Sequence, residues 1–283
     1  MSEETAFTGV SPAAVFAFER DGAVCLRGLF SPDWLELLAA GVERNLREPG
    51  PFAKRYTPPG APGLFFGDYC NWRQIPEYEA FLYESPAAEA AGQLMRSRRV
   101  NLFHEHVLVK EPGTVERTPW HQDQPYYCVD GEQICSIWLP LDPVPQETCP
   151  EFVAGSHRWG EWYTPRRFVD NQDHPATEPG FRAVPDVDAQ RNRYRILSWD
   201  LQPGDCIVFH ALTLHGAPGN QLPHRRRAFV SRWTGDDARF VLRSGFMSPP
   251  PPADAPPSGS PMDGPAFPLV WPREEGQSDA GAS

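Results

Sequence analysis

The chain has 283 residues, with 37 acidic against 26 basic side chains, a net charge of −11 and 40% hydrophobic residues. A chain of this length buries a sizeable core without a disulfide or metal staple. Its acidic balance argues against nucleic acid, which needs a basic face for phosphates. No apolar run approaches the roughly 18–20 residues of a membrane span, and Met1-Ser2-Glu3-Glu4-Thr5 lacks the basic-then-apolar pattern of a secretory leader. The expectation is a cytoplasmic protein that uses neither membrane nor nucleic acid. Six cysteines without C-x-x-C spacing read as reduced, buried thiols.

In chain order, residues 1–10 read as a loose tail. Residues 12–20 read as a short helix, with Ser11 as its N-cap and Asp21-Gly22 as its end. A β-like run covers 23–29. Ser31 caps a second helix over 32–46, whose apolar residues Leu35, Leu38 and Val42 share a face. Residues 48–75 are irregular and rich in Gly, Pro and aromatics, and 86–98 reads as a further helix. From residue 101 short strands with turn punctuation follow, over 102–110, 117–123, 132–139, 151–154, 194–199, 205–210 and 226–233. This pattern predicts an antiparallel sandwich or barrel with flanking helices. Residues 160–193 form a long polar insertion, a length that is uncommon unless it covers something. One domain is expected over 1–248, followed by a Pro-rich tail over 249–283 that leaves the core in extended form.

The informative segment is Trp120-His121-Gln122-Asp123. Residues two apart on a strand share a face, so His121 and Asp123 can point together as two thirds of a 2-His-1-carboxylate metal triad. A second histidine segment, Pro203-Gly204-Asp205 through Phe209-His210 to His215-Gly216 and Asn220, begins 80 residues after Asp123. It offers His210 and His215 as a third ligand. Alternation along Arg226–Trp233 puts Arg226, Ala228, Val230 and Arg232 inward and Arg227 outward. An inward guanidinium suits a bidentate carboxylate. Tyr126 and Tyr127 follow the motif closely enough to line a substrate pocket. His104 and His106 alternate on a strand without a matching carboxylate and are placed as pocket or core residues. Arg232 shares the inward face as a substrate or structural arginine.

With W-H-Q-D at 120–123, G-S-H at 155–157, P-G-D…F-H…H-G…N over 203–220 and R-R-A-F-V from Arg226 in this order, the chain resembles the phytanoyl-CoA dioxygenase family of iron(II)- and 2-oxoglutarate-dependent oxygenases. The resemblance runs from Phe18 to about Trp233. It implies a double-stranded β-helix (jelly-roll, cupin-like) core, mainly β with flanking helices, and Fe(II), 2-oxoglutarate and O2 as cofactor and co-substrates. It further implies His121, Asp123 and His215 as iron ligands, Arg226 as the anchor of the distal 2-oxoglutarate carboxylate, and Trp138, 17 residues after His121, as a wall of the co-substrate pocket. Lys110 matches a common lysine of the family. His210 recurs there without being a ligand. Where the family usually has Ser after His-Gly, this chain has Ala217, which removes one hydrogen bond to the co-substrate. The retained Asp123 disfavours halogenation, which replaces that carboxylate. The implied activity is hydroxylation of an unactivated C–H bond, with desaturation, cyclisation or demethylation using the same residues. A net charge of −11 favours a small metabolite over a CoA thioester. The alternative is a metal-binding jelly-roll without oxygenase activity, either a cupin-type isomerase or a binding protein.

Overall fold

The first helix, Pro12–Asp21, forms for the reasons its ends suggest. Ser11 Oγ accepts the Ala14 N–H at 3.2 Å, Pro12 sits in the first turn, and Gly22 closes the helix at φ 77°. The computed structural model describes residues 9–273 except Val169, Asn171, Ala176 and Thr177. Most of the expected N-terminal tail and the end of the Pro-rich segment therefore lie outside the described residues. Helix Pro32–Arg47 is where its pattern places it, and the helix expected over 86–98 is Ala87–Met95. A further helix, Pro76–Glu84, buries Tyr78, Phe81 and Leu82, the i, i+3, i+4 spacing of one helical face.

Two antiparallel sheets make the body, as a jelly-roll requires. The larger runs Ala23–Leu26, Cys206–His210, Ile134–Pro140, Arg226–Thr234, Val100–Lys110, Phe65–Tyr69, Lys54–Arg55, with Leu269–Trp271 also paired to Val100–Lys110. The smaller runs Thr118–His121, His215–Ala217, Glu151–Val153, Ile196–Leu197. The four helices cover the outer face of the larger sheet. There Leu38, Val42, Tyr78, Phe81 and Leu94 pack against Val107, Val109, Phe229 and Trp233 in one apolar cluster. The inner face looks across at the smaller sheet, and the cavity lies between them. All six cysteines are free. No helix among the described residues is long and apolar enough to cross a membrane.

Two expectations are corrected. Residues 48–75 are not irregular throughout, because Phe65–Tyr69 is a strand with all five residues buried, pairing with Val100–Lys110. Its Gly67 is required by space, since a Cβ there would meet Tyr56 at 2.9 Å and His106 Nε2 at 3.1 Å. The second correction concerns the tail. The chain does not leave the core at 249: Phe267 is fully buried, Met262 and Val270 are nearly so, and Leu269 is the register partner of Asn101. Prolines here shape a folded-back connection, with apolar residues between them supplying the burial.

Candidate active site

His121 ends strand Thr118–His121, and His215 begins the adjacent His215–Ala217; the two are register partners. Each imidazole donates Nδ1–H to a backbone carbonyl, His121 to Pro119 at 2.8 Å and His215 to Thr213 at 2.9 Å. That bond fixes the tautomer and leaves each Nε2 lone pair free to bind metal. Asp123 Oδ1 lies 3.3 Å from His121 Nε2 and 3.8 Å from His215 Nε2. The three ligand atoms all fall within 4.8 Å of one another, so the cluster could hold one metal ion. Burial pushes His215 down to about 3, with His121 adding to the effect, so the imidazole is neutral as a ligand must be. Burial alone would raise the Asp123 carboxyl, but Arg232 and the two imidazoles outweigh it and hold the group well below its ordinary value.

Asp123 arrives by a different route from the one strand alternation predicts. The strand stops at His121, and Asp123 has helical dihedrals (φ −76°, ψ −44°) as the residue before the turn Gln124–Tyr126. The Ala211 carbonyl accepts both the Asp123 and Gln124 N–H groups, at 2.9 and 3.0 Å, which sets the turn. Ser136 Oγ donates to Asp123 Oδ2 at 3.2 Å. Ser136 had no distinguishing signal in the sequence.

His210, the competing third ligand, is outside this cluster. Its Nε2 donates to the Glu132 carbonyl at 2.6 Å and its Nδ1 accepts from Leu212 N–H at 3.0 Å, so both nitrogens serve the backbone.

Beyond the triad the cavity narrows past Trp138, Thr118, Pro150 and Ala217 to Lys110 and Arg226. Arg226 is 4% exposed and donates to the carbonyls of Thr148 and Pro218. Lys110, its register partner on the neighbouring strand, donates to the carbonyls of Glu116 and Pro218, both at 2.9 Å. Among the described residues neither cation has a carboxylate partner. Burial pushes Arg226 down to about 10 and Lys110 well below its usual value, Arg226 adding to the latter. Two adjacent buried basic side chains without an acid partner among the described residues suit an anion's oxygens. Arg227, on the opposite face, is not fully outward: half-buried, it pairs with Asp142 at 2.8 Å and with Glu43.

On the other side of the triad the cavity, about 440 Å³ in all, is walled by aromatics. Tyr126 and Tyr127 line it, as do His104, His106 and Arg232. Lys54, Arg55, Tyr56 and Tyr69 line it too, from the stretch 48–75 whose aromatic clustering is the one sequence signal of such a role. The 160–193 insertion does cover the site: Phe168 sits edge-on to His121 at 5.0 Å, and the Tyr126 hydroxyl both donates to the Arg166 carbonyl and accepts its N–H at 2.7 Å. Phe246, Ser248 and Pro249 complete the rim.

A jelly-roll with an imidazole–carboxylate–imidazole cluster between its sheets and a cationic end beyond it is the architecture of iron- and 2-oxoglutarate-dependent dioxygenases. The chain belongs to the phytanoyl-CoA dioxygenase (PhyH) family, whose pattern matches residues 18–228. Fe(II), 2-oxoglutarate and O2 are accordingly its cofactor and co-substrates. It is similar to a probable phytanoyl-CoA dioxygenase of Caenorhabditis elegans, 24% identical over 56% of this chain, and the match spans only 51% of that protein. It is also similar to dioxygenase lolE1 of Epichloe uncinata, 25% identical over 85% of this chain and 89% of the relative. Among solved structures, the non-heme alpha ketoglutarate dependent carbocyclase SnoK from nogalamycin biosynthesis shares the fold, with a TM-score of 0.71, 23% identity, and coverage of 92% of this chain and 96% of that one.

Proposed function

We propose that this chain hydroxylates an unactivated C–H bond of a small-molecule metabolite, with His121, Asp123 and His215 holding Fe(II). Arg226 and Lys110 take the far carboxylate of 2-oxoglutarate, and Trp138 walls the passage between. The observation that supports the reading is the buried pair Arg226 and Lys110, without an acid partner among the described residues, in a small pocket that shares its walls with the cavity of the triad. A cupin-type isomerase or binding protein has no use for such an anchor.

When bound, iron, 2-oxoglutarate and O2 together supply C–H oxidation, one oxygen atom going to the substrate and one to succinate, with release of CO2. The chain's part is placement. His121 and His215 present fixed lone pairs, and Asp123 supplies the protein's one anionic ligand. Ser136 holds the carboxylate's other oxygen. Phe168 and Phe246 shut water from the substrate side. SnoK's description as a carbocyclase supports reading C–H oxidation as the shared step, with the product decided by how the substrate is held.

The test is anaerobic titration of 2-oxoglutarate into the iron-loaded chain, followed by its metal-to-ligand absorption band. A saturable band with one equivalent supports the reading; failure to bind iron overturns it. A metabolite screen for succinate release then identifies the substrate.

A further inference from the structure

The inner face of the larger sheet carries a polar row of which only Ser136, through Asp123, has so far been given a task. His104, Arg232 and Ser136 are successive register partners across strands Val100–Lys110, Arg226–Thr234 and Ile134–Pro140. Arg232 spends its Nε on the Tyr127 hydroxyl and lies 3.7 Å from Asp123 Oδ2 through the same atom. Its Nη1 is buried with no hydrogen-bond partner among the described residues, and the same holds for Nε2 of His104 and Nε2 of His106. All three residues are more than nine-tenths buried, and all three line the cavity. An orphaned buried guanidinium nitrogen is costly unless something else reaches it.

Formal charge says what that something is. Asp123 is the sole acid lining the cavity among the described residues, while Arg232 is buried beside it and Arg226 is buried in the small adjoining pocket. Glu105, next along the strand from His104, is outside the cavity lining: its oxygen accepts the Asn71 N–H, and burial pushes it up to about 8. The charges of Fe(II) and 2-oxoglutarate cancel each other. Positive charge is thus in excess among the buried groups even with Lys110 neutral, and buried charge must be balanced. At the mouth, Lys54 and Arg55 are exposed and form no ion pair among the described residues, on a protein whose net charge is −11. They draw the same sign of ligand inward. Much of the remaining wall is aromatic, with Tyr56, Tyr69, Tyr127 and Phe168 among its residues.

We infer that the substrate is a small ring-bearing carboxylate whose acid group is received by the free Nη1 of Arg232, between His104 and the metal triad. This deepens the oxygenase reading and rests on it. Arg232 then does two jobs: its Nε side holds Tyr127 and Asp123, and its Nη1 side chooses the substrate. His104 donates Nδ1–H to the Glu105 carbonyl at 3.1 Å, so in the neutral ring Nε2 is an acceptor, matched to a hydroxyl proton beside the acid.

The experiment uses the full chain loaded with iron(II) and 2-oxoglutarate without oxygen, so that ligands bind and do not turn over. It is mixed with a panel of small ring-bearing carboxylic acids, each present with its own methyl ester, and retained compounds are quantified by mass spectrometry after rapid gel filtration. Acids are expected to be retained at least tenfold over their esters. Arg232→Gln should remove the preference, and Arg232→Lys should keep part of it, each compared per iron-loaded chain. Esters retained as well as acids, a preference surviving in Arg232→Gln, or no acid retained by a chain that holds iron and 2-oxoglutarate overturns the inference while leaving the oxygenase reading intact. A chain that holds neither iron nor 2-oxoglutarate overturns both. The wild-type comparison decides alone if Arg232→Gln sheds iron through Asp123.

Discussion

His121 and His215 lie 4.2 Å apart, centroid to centroid, and each is tethered through Nδ1 to the carbonyl two residues before it. The strands that carry them thus orient both rings before any metal arrives. Both Nε2 atoms face the single carboxylate of Asp123, and that arrangement makes the following outcomes specific.

Asp123→Ala removes the one anionic group of the cluster and strands the Arg232 charge that it faces at 3.7 Å. Iron binding and succinate formation should both fall below detection, while the chain stays folded with a loss of about 1–3 kcal/mol from the unpaired guanidinium. Metal analysis and a urea midpoint measure the two effects separately. Wild-type turnover in this variant would refute the triad.

Arg226 and Arg227 are neighbours on opposite faces, so their alanine variants should differ in kind. Arg226→Ala loses charge-assisted bonds to the co-substrate and should weaken 2-oxoglutarate binding about ten- to a hundredfold. Arg227→Ala breaks the pair with Asp142 at 2.8 Å and should lower the thermal midpoint while leaving 2-oxoglutarate affinity within about twofold. Anaerobic titrations of both iron-loaded variants decide; equal losses would place the strand register off by one.

His210 ties stability to pH. Burial holds its imidazole down to about 4, whereas the unfolded chain protonates histidine near its ordinary value of about 6.5. As pH falls between those values the unfolded state takes up a proton that the native state refuses, so stability drops on acidification, by about 3 kcal/mol at full extent. Urea midpoints from pH 7 to pH 4.5 should show a shallower acid slope in His210→Gln than in the wild type. Identical slopes would mean that His210 does not stay neutral.

Phe267 tests where the folded unit ends. It is fully buried against Phe103 and Phe240, well past the Pro-rich stretch at 249–252. Phe267→Ala should cost about 3–5 kcal/mol, and a chain ending at 248 should be less stable still, because the long strand Val100–Lys110 loses its partner at Asn101. Equal melting temperatures for the full and shortened chains would restore the boundary at 248.

How much of this could be read beforehand divides by physical cause. Arg226 and Arg232 were placed inward by simple alternation, and both line the cavity end or wall. The same alternation called Arg227 outward, but helices blanket that face, and the apolar Phe229 and Trp233 beside it were the sign of a sheet buried on both sides. Asp123 meets His121 by a turn after the strand, where alternation predicts a shared strand face. The strand Phe65–Tyr69 was hidden because Gly67 and the neighbouring prolines read as loop chemistry, whereas the glycine is there to let Tyr56 and His106 approach. The returning C-terminal segment was missed because proline content says how a chain bends and nothing about what its intervening Phe267 and Val270 bury.

The clasp between the Tyr126 hydroxyl and both backbone groups of Arg166 joins two parts of the chain with different obligations. The two histidines of the candidate metal cluster and the cationic pair Arg226 and Lys110 stand on strands whose positions are set by ladder bonds, with Asp123 on the turn that follows, while the roof over the cavity is built from the insertion and the returning C-terminal segment. Mutation can therefore recarve the roof, residue by residue, without disturbing the oxidising machinery beneath it. A lineage can inherit the chemistry intact and explore new substrates through loops alone, provided that one tyrosine keeps the roof in register with the floor.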